Sequence, residues 1–343
     1  MKAASVLDYR ELARRRLPRF LFDYIDGGSY AETTLARNVA DLETIALRQR
    51  VLRDVSGFDL STTLLGRKQA LPVALAPIGL GGLVARRGEV QAVSAAEAAG
   101  IPFCLSTVAA CPLAEVKAAA RKPFWFQLYM IRDRGFMSDL LAKAGEAGCS
   151  ALVFTVDMPV PGARYRDVRS GLAGAPGPAG QLRRFLQVAV RPGWAWDVGV
   201  NGRPHALGNV VPVLQGKTGI EDFFAWMRGN FDPGVTWKDL DWVRRQWQGP
   251  LILKGILDAD DARQAADTGV DGIVVSNHGG RHLDTTVTTA AAIGAVASAL
   301  AGKAEVYVDG GIRRGTDILK ALALGARAVL IGRPIIWGLA VDG

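Results

Sequence analysis

The sequence predicts an α/β protein that folds as one (β/α)8 barrel. Eight short apolar segments recur along its 343 residues. Several of them are continuous apolar runs bounded by Gly or Pro, which is typical of strands covered on both faces. Amphipathic segments with helical periodicity separate most of these runs. Alternation of strand and helix over eight repeats favours a closed parallel barrel, and such barrels commonly reach this length as one domain.

The predicted strands and helices follow one another in a regular order from residue 73 onward. Strands are predicted at 73–79, 101–107, 124–130, 151–157, 251–256, 272–278, 305–311 and 328–334. Helices are predicted at 89–99, 113–120, 137–147, 238–246, 259–267, 289–300 and 315–324. A doubly wound sheet is the alternative, and it would need a Gly-rich turn after its first strand. The segment at 79–84 lacks the third glycine of such a turn, so the barrel is favoured.

Two segments fall outside this repeat. Residues 1–70 predict two or three short helices and then a hairpin at 46–69, whereas residues 71–343 form the barrel. Residues 158–236 interrupt the repeat after the fourth strand, and a long insertion in a compact domain is usually either functional or disordered. We expect residues 1–343 to form one domain.

The C-terminal end of the chain is short for a complete barrel. Only nine residues follow Pro334, and they make at most two helical turns. A barrel needs a helix after each strand to cover its outer face. The helix after the eighth strand is therefore expected to be missing, and the chain is expected to be incomplete.

Composition and charge narrow the class of protein. Lys and Arg number 41 against 33 Asp and Glu, and the net charge of +8 favours anionic substrates, acidic partners or anionic lipid. No nucleic-acid-binding motif accompanies this charge. The uncharged apolar run at 70–85 is too short to span a bilayer, and it contains two prolines and three glycines. The three cysteines form no C-x-x-C pair, which fits a reducing compartment, and no His, Cys and carboxylate cluster has metal-ligand spacing.

Polar side chains occupy the ends of several predicted strands. In three strands two polar residues stand two positions apart, so they share one face of the strand. The C-terminal ends of barrel strands meet at one mouth, where barrel active sites lie. Burying such groups without partners would cost a few kcal/mol each, so a bound polar ligand is expected. The residues are Gln127, Tyr129, Thr155, Asp157, Lys254, Ser276, His278 and Asp309.

The last two predicted strands run into Gly-rich turns with arginines. The seventh ends in 309-DGGIRRG-315 and the eighth in 331-IGRP-334. Glycines let the backbone approach an anion, and Arg313 and Arg333 supply positive charge. Barrel enzymes commonly bind phosphate after strands seven and eight. We interpret the pair of turns as a phosphate site, with two plain turns and solvated arginines as the alternative.

These motifs together resemble those of the FMN-dependent α-hydroxy-acid oxidising enzymes. The resemblance depends on 276-SNHGGRHLD-284, on API followed by Gly79, on QLY and TVD at the ends of strands three and four, and on the two Gly-Arg turns. It extends from about Tyr9 to the C-terminus. Segments such as FLFDYIDGGSY and PGARYRD are similar to the bacterial respiratory branch that oxidises L-lactate. The resemblance implies FMN as the cofactor and a 2-hydroxy acid as the substrate.

The resemblance also implies roles for the residues around the substrate. His278 would be the general base, and a histidine suits this role because its pKa lies near neutrality. Whether it takes the carbon proton or the hydroxyl proton stays open. Asp157 would orient the imidazole. Arg164 and Arg281 would clamp the carboxylate of the substrate. Tyr24 and Tyr129 would contribute hydrogen bonds from their phenols.

For the cofactor, the resemblance implies contacts along the whole length of FMN. Lys254 would lie near N1 and the C2 carbonyl of the flavin, where reduction places negative charge. The flavin ring and ribityl chain would contact Ala76, Pro77, Ile78, Ser106, Gln127, Thr155, Ser276 and Asp309. The phosphate would contact Gly310, Gly311, Arg313, Gly332 and Arg333. His205 and His282 are expected to be surface or loop histidines without a role.

Finer expectations concern the substrate, the electron acceptor and the location. Gly79 resembles the dehydrogenase branch rather than the oxidases, and no haem domain precedes residue 1, so quinone is the expected acceptor. L-Lactate leads as substrate, with mandelate or glycolate as alternatives, and Val108 indicates a roomy pocket. The resemblance implies a homotetramer. Basic and aromatic residues at 183–196 predict peripheral contact with the cytoplasmic side of the inner membrane, and a disordered lid over the active site is the alternative. Two classes compete with this prediction. One is another phosphate-binding barrel, such as an FMN-dependent isomerase or a lyase, and the other is a non-enzymatic protein that binds membrane or nucleic acid through its positive charge.

Overall fold

The computed structural model describes residues 2–174, 177–214 and 220–343, with the side chains of 220–224 left out. It contains a two-stranded hairpin and eight parallel strands. The strands are β1 (Thr62–Leu64), β2 (Arg67–Gln69), β3 (Val73–Leu75), β4 (Cys104–Ser106), β5 (Trp125–Tyr129), β6 (Ala151–Thr155), β7 (Leu251–Ile256), β8 (Gly272–Val275), β9 (Glu305–Val308) and β10 (Ala328–Ile331).

Fifteen helices lie in the described part of the chain. They are α1 (Val6–Arg16), α2 (Arg19–Asp26), α3 (Thr33–Thr44), α4 (Gly88–Ala99), α5 (Leu113–Ala119), α6 (Arg134–Glu146), α7 (Tyr165–Ser170), α8 (Pro178–Ala189), α9 (Pro192–Trp194), α10 (Ile220–Asn230), α11 (Trp237–Gln246), α12 (Ala259–Asp267), α13 (Thr289–Leu300), α14 (Gly315–Ala323) and α15 (Arg333–Asp342). Short 3-10 turns at Gly81–Leu83 and Val211–Val213 and a π turn at Ala195–Val200 complete the assignment.

The eight parallel strands close into a barrel, which confirms the predicted fold class. Their order is β3-β10-β9-β8-β7-β6-β5-β4. A parallel bridge between Leu75 and Phe103 joins the first and last members of this order. The amide of Leu75 donates to the carbonyl of Pro102 at 2.8 Å across the same junction. All eight strands are largely buried on both faces, as their continuous apolar runs predicted.

Large side chains fill the lower part of the barrel interior. The rings of Trp125 and Tyr307 meet edge to face there, with 5.8 Å between their centroids. Leu64 of the hairpin packs against this interior cluster, together with small residues such as Ala74 and Ala328. Because the bottom is packed, ligand binding is confined to the C-terminal mouth.

The N-terminal helices bind to the turn after β8. The amide of Ser29 donates to the carbonyl of Gly280 at 2.9 Å. Asn38 of α3 and Asn277 exchange two side-chain hydrogen bonds, both of 2.8 Å. Gly311 lies so close to the carbonyl of Asn38 that a Cβ would not fit. Residues 27–38 therefore lie beside the mouth and hold the segment that carries His278.

The prediction that the helix after the last strand is missing is wrong. Helix α15 follows β10, and its side chains at Ile336, Trp337 and Ala340 are buried. The guanidinium of Arg16 donates to the carbonyl of Val341 at 2.6 Å and ties the helix to the end of α1. The prediction considered only the residues after Pro334. Helix α15 instead begins at Arg333, so Pro334 lies in its first turn, where proline is tolerated.

The insertion between β6 and α11 contains helices rather than a bare loop; residues 175–176 and 215–219 lie outside the described residues. One side of α8 faces the N-terminal helices, because Gln187 accepts from the amide of Phe20 at 2.9 Å. Trp194 was expected on a membrane-facing surface. It is instead buried and donates from Nε1 to the carbonyl of Leu83 at 2.9 Å, because an indole in the interior needs an acceptor.

Candidate active site

Most of the predicted site residues line one cleft at the mouth of the barrel. The predicted residues in its lining are Tyr24, Ala76, Pro77, Ile78, Tyr129, Arg164, Lys254, His278, Arg281, Asp309, Gly310, Gly311, Arg313, Gly332 and Arg333. The other five form hydrogen bonds to the lining residues or to one another. These are Ser106, Gln127, Thr155, Asp157 and Ser276.

His278 lies in the turn that follows β8. Its φ of 56° is left-handed, and a residue other than glycine is strained there. Its amide donates to Oγ of Ser276 at 3.0 Å, and its Nδ1 lies 2.9 Å from Oδ1 of Asp157. Because an ionised carboxylate only accepts, Nδ1 carries the proton and Nε2 is the basic nitrogen. Nε2 lies 3.5 Å from the hydroxyl of Tyr129.

The surroundings of His278 keep its imidazole neutral. Burial lowers the pKa of His278 well below its ordinary value, and nearby cations, led by Lys254 and Arg281, lower it further. Burial raises the pKa of Asp157, although the charge of Lys254 opposes this effect. The result is an unprotonated imidazole backed by a carboxylate, which is the arrangement that a general base requires.

A glycine in β7 makes room for Asp157. Gly255 has a φ of 117°, and the register between β7 and β8 shifts between Lys254 and Ile256. A Cβ on Gly255 would lie 2.5 Å from Cβ and 2.8 Å from Cγ of Asp157. The bulge therefore lets the carboxylate approach the barrel wall at the height where it contacts His278.

Two arginines converge on the ring of Tyr24. The guanidinium carbons of Arg281 and Arg164 lie 5.0 and 5.5 Å from its centroid. Nη1 of Arg281 donates to the carbonyls of Tyr24 and Gly27 at 2.7 and 2.9 Å. Burial and the like charge of Arg164 lower the pKa of Arg281 to about 10.

The arginine pair lacks full neutralisation by the protein. Oδ2 of Asp167 lies 3.8 Å from Nη1 of Arg164, and Nε of Arg164 is buried without a hydrogen-bond partner among the described residues. Two buried like charges with an open donor favour an anion between them. A carboxylate fits the forked geometry of guanidinium groups.

The inner wall of the cleft carries a fixed set of polar groups. Oε1 of Gln127 accepts from Oγ of Ser106, and its Nε2 donates to Oγ1 of Thr155, both at 3.0 Å. Nζ of Lys254 donates to Oγ of Ser276 at 2.9 Å and lies 3.1 Å from Oδ2 of Asp309.

The charge of Lys254 is maintained although the side chain is buried. Burial alone would lower the pKa of Lys254, but the carboxylates of Asp309 and Asp157 raise it above its ordinary value. Oδ1 of Asp309 is buried and has no hydrogen-bond partner among the described residues. The wall therefore offers a cation and an open acceptor to a bound molecule.

The far end of the cleft is built from glycines and arginines. Gly310 and Gly311 have φ of 87° and 81°, and helix α15 begins at Arg333 beside them. Arg313 lies over the ring of Trp337 at 5.1 Å. Arg333 donates to the carbonyls of Asp26, Gly27 and Gly279 at 2.8–3.0 Å, so it also fixes the backbone on either side of the cleft.

The cleft fits FMN by the chemistry of its donors. Lys254 is a buried cation in the inner wall, where reduced flavin would carry negative charge. The open Oδ1 of Asp309 suits a ribityl hydroxyl. The Gly310–Gly311 turn, Arg313 and the start of α15 form an anion site of the kind that binds phosphate.

His282 was predicted to be a surface or loop histidine; it does lie in a loop, but it is not on the surface. Its side chain is buried, and its ring lies 4.3 Å from that of His278 at an interplanar angle of 80°. Ligand atoms of Asp157, His278 and His282 all lie within 4.8 Å of one another. The turn 278–284 brings the second histidine back to the first, which spacing in the sequence did not indicate.

Two methionines of the cleft were also missed. Met158 follows β6 and Met227 belongs to α10 of the insertion, and both line the cleft beside Val108. Apolar residues in a long insertion carry no signal that assigns them to a site. The only hint was the position of Met158 directly after Asp157.

Geometry and donors thus fit a barrel enzyme with room for a flavin nucleotide and a small carboxylate at one mouth. A family model described as FMN-dependent dehydrogenase matches residues 13–343. The chain belongs to this family, so the predicted resemblance to the FMN-dependent α-hydroxy-acid oxidising enzymes and the predicted cofactor, FMN, are confirmed.

Similar proteins agree over the full length of the chain. It is 63% identical to an L-lactate dehydrogenase from Caulobacter sp. (strain K31), covering 100% of this chain and 90% of that protein. It is 58% identical to an L-lactate dehydrogenase from Ectopseudomonas mendocina (strain ymp), with 100% and 90% covered. A solved structure described as monotopic membrane protein (S)-mandelate dehydrogenase has a TM-score of 0.92 at 34% identity, with 100% and 90% covered. A mandelate oxidase has a TM-score of 0.84 at 38% identity, with 100% and 88% covered.

Proposed function

We propose that this chain, acting as one domain over residues 1–343, oxidises L-lactate to pyruvate. The observation that carries the proposal is the pair of Arg164 and Arg281 beside the neutral imidazole of His278, because it combines a carboxylate site with a base. The names of the relatives at 56–63% identity support L-lactate as the substrate. The solved structures named for mandelate are less similar, at 34–38% identity.

Each substrate-side residue has one task in this proposal. Arg281 and Arg164 bind the carboxylate and orient the substrate. Tyr129 hydrogen-bonds the substrate next to Nε2 of His278, and Tyr24 completes the carboxylate site. Asp157 holds Nδ1 of His278 and stabilises the imidazolium that forms.

The reaction removes two electrons and two protons from the hydroxy acid. FMN, when bound, would supply the two-electron oxidant and would also take up the second proton. His278 accepts one proton at Nε2, and the neutral imidazole is the state that the buried, cation-rich site maintains. The strained backbone of His278 fixes the direction of Nε2 before substrate arrives.

The residues that would hold FMN divide by the part of the cofactor. Lys254 would neutralise charge at the flavin edge, with Gln127 and Thr155 as hydrogen-bond partners and Ala76–Ile78 along the ring. The ribityl chain and the phosphate would be bound by Ser106, Ser276, Asp309, Gly310, Gly311, Arg313, Gly332 and Arg333.

The wall of the cleft is closely packed where Gly79 meets Val108. A Cβ on Gly79 would lie 2.8 Å from Cγ2 of Val108, so the two residues are in tight contact. Met158 and Met227 lie in the same lining. Methionines are flexible, so this wall sets the volume without fixing one shape.

A flavin-reduction screen tests the proposal. The purified chain should contain FMN, and L-lactate should bleach it faster than glycolate or L-mandelate under anaerobic conditions. D-Lactate should fail, because it would point its hydroxyl away from His278 when its carboxylate is bound. Faster reduction by L-mandelate would move the assignment to the alternative substrate, and no reduction by any of the four would contradict the function.

We also propose that electrons pass to quinone and that the protein works at the cytoplasmic side of the inner membrane, as a homotetramer. Helix α8 supports the membrane contact, because Leu182, Phe185 and Leu186 are exposed along one side of it. Among the described helices, none is both long and apolar enough to cross a bilayer. The neighbour described as a monotopic membrane protein supports the same location.

Charged substitutions on α8 test the membrane contact. The triple variant Leu182→Glu, Phe185→Glu, Leu186→Glu should no longer sediment with vesicles that contain anionic lipid, while L-lactate still bleaches its flavin. Leu319→Glu is the matched control, because Leu319 is equally exposed on α14. Loss of binding in both variants, or in neither, would contradict the role of α8.

A further inference from the structure

We propose that His282 is a positioning residue that donates a hydrogen bond to Oδ2 of Asp157, directly or through one water, and so holds this carboxylate against His278. The inference rests on the proposed role of His278 as the base. It adds a third member to the pair of His278 and Asp157, and it assigns a task to a histidine for which the sequence suggested none.

Unsatisfied polar atoms point to this contact. Both ring nitrogens of His282 are buried without a hydrogen-bond partner among the described residues, and so is Oδ2 of Asp157. The ligand atoms of the two side chains lie within 4.8 Å of one another. A buried donor and a buried acceptor that stay unpaired each cost about 1–3 kcal/mol. A small rotation of the imidazole, or a bridging water, satisfies both.

The backbone near His282 is fixed, so only its side chain adjusts. A Cβ on Gly162 would lie 2.8 Å from the carbonyl oxygens of Arg281 and His282, which shows how closely the insertion packs on this turn. Asp284 accepts from the amide of Thr34 at 2.8 Å and anchors the other side. The turn thus presents the imidazole to Asp157 from a rigid base.

The same three side chains have ligand types that zinc accepts, but their electrostatic surroundings oppose a cation. Lys254, Arg281 and Arg164 lower the proton affinity of His278, and the same field repels a divalent ion. Burial and the neighbouring His278 also lower the pKa of His282, which keeps its ring neutral. A neutral imidazole donates one N–H, and Oδ2 of Asp157 is an open acceptor near it.

A second donor on Asp157 weakens the pull of this carboxylate on the proton of His278. Loss of the donor should therefore raise the pKa of His278 and move the acidic limb of the rate profile to higher pH. The titratable and charged groups that face the two imidazoles from the surrounding elements stay the same in this comparison. They are Tyr24, Tyr129, Asp157, Arg164, Lys254, Arg281 and Arg333.

Two substitutions of similar length separate hydrogen bonding from packing. His282→Gln keeps a donor, whereas His282→Met fills the same space without one. With L-lactate in anaerobic single-turnover flavin reduction, we expect the Met variant to reduce its flavin about tenfold more slowly than the Gln variant, the effect of losing one charge-assisted hydrogen bond. Its acidic limb should lie about one pH unit higher. Gln should restore both quantities towards those of the parent chain.

The same assay distinguishes a failure of the inference about His282 from a failure of the proposed function. If L-lactate reduces the flavin of the parent chain, and the Met and Gln variants have equal rates of flavin reduction and equal acidic limbs in their pH profiles, the role of His282 is overturned. A parent chain that is not reduced contradicts the proposed function instead. If the Met variant loses flavin or stability, His282→Ala, which also lacks the donor, takes its place and is made both in the parent chain and in the Asp157→Asn background. The exchange should slow flavin reduction in the parent chain but not in the Asp157→Asn background, and an equal effect in both would overturn the proposal.

Discussion

Replacement of Gly255 by Ala perturbs the site without touching a polar group. The new Cβ would stand 2.5 Å from Cβ, 2.8 Å from Cγ and 2.9 Å from the amide nitrogen of Asp157, distances at which one of the two must move. The φ of 117° adds backbone strain of about 1–3 kcal/mol for a residue with a side chain. Overpacking adds about 1–3 kcal/mol.

The residue that the new Cβ would displace, Asp157, is also the one whose carboxylate contacts the base. Because Oδ1 of Asp157 is 2.9 Å from Nδ1 of His278, even a shift of 1 Å breaks the hydrogen bond. We expect flavin reduction by L-lactate to slow by about 10²-fold, the lower end of what general-base catalysis contributes. The assay is anaerobic single turnover, with flavin content and thermal unfolding measured alongside.

A second glycine provides the matched control. Gly269 also has positive φ, 75°, but no atom lies within 4 Å of where its Cβ would be. Gly269→Ala should lower stability through backbone strain alone and leave the rate of flavin reduction unchanged. If Gly255→Ala reduces its flavin at the rate of this control, Asp157 does not orient the base.

Three further predictions concern charge in the cleft. Arg281→Lys keeps the charge but loses the fork that reaches the carbonyls of Tyr24 and Gly27, so kcat/KM for L-lactate should fall about 10–100-fold; an unchanged value would exclude the clamp. Burial and nearby cations lower the pKa of His278, and the base must be neutral to act. Activity should therefore be full above the acidic limb of kcat/KM, and that limb should lie below the ordinary histidine pKa of about 6.5. An acidic limb at or above this pH would contradict the assignment of the base. Lys254→Met leaves Asp309 buried and unpaired, so it should lower the free energy of unfolding of the flavin-free chain by about 3–5 kcal/mol and reduce flavin content, and equal denaturant midpoints would contradict the pairing.

The barrel was predictable because its strands are buried on both faces. Continuous apolar runs at regular intervals leave few other folds, and the polar residues at their ends must then face one mouth. Lys254 and Asp157 stood out for this reason. Their joint position could be predicted from strand direction alone, without knowledge of the loops.

Other parts of the site depend on contacts between segments far apart in sequence. The burial of His282 follows from packing of Gly162 against its backbone, 120 positions away in the chain. Met227 lines the cleft because the end of α10 is held against the segment after β5, where Ile131 forms a bridge with Phe231. Helix α15 was missed because its start overlaps the phosphate turn. None of these contacts has a periodic signature, so local patterns could not indicate them.

The most direct test of the account compares the parent chain with His278→Gln in anaerobic reduction of the bound flavin by L-lactate. Both proteins should bind FMN, because His278 contributes little to the polar wall and the phosphate end of the cleft. L-Lactate should bleach the flavin of the parent chain, and the rate of flavin reduction in the variant should be lower by about 10²–10⁴-fold. Near-equal bleaching of the two proteins by L-lactate would contradict His278 as the base.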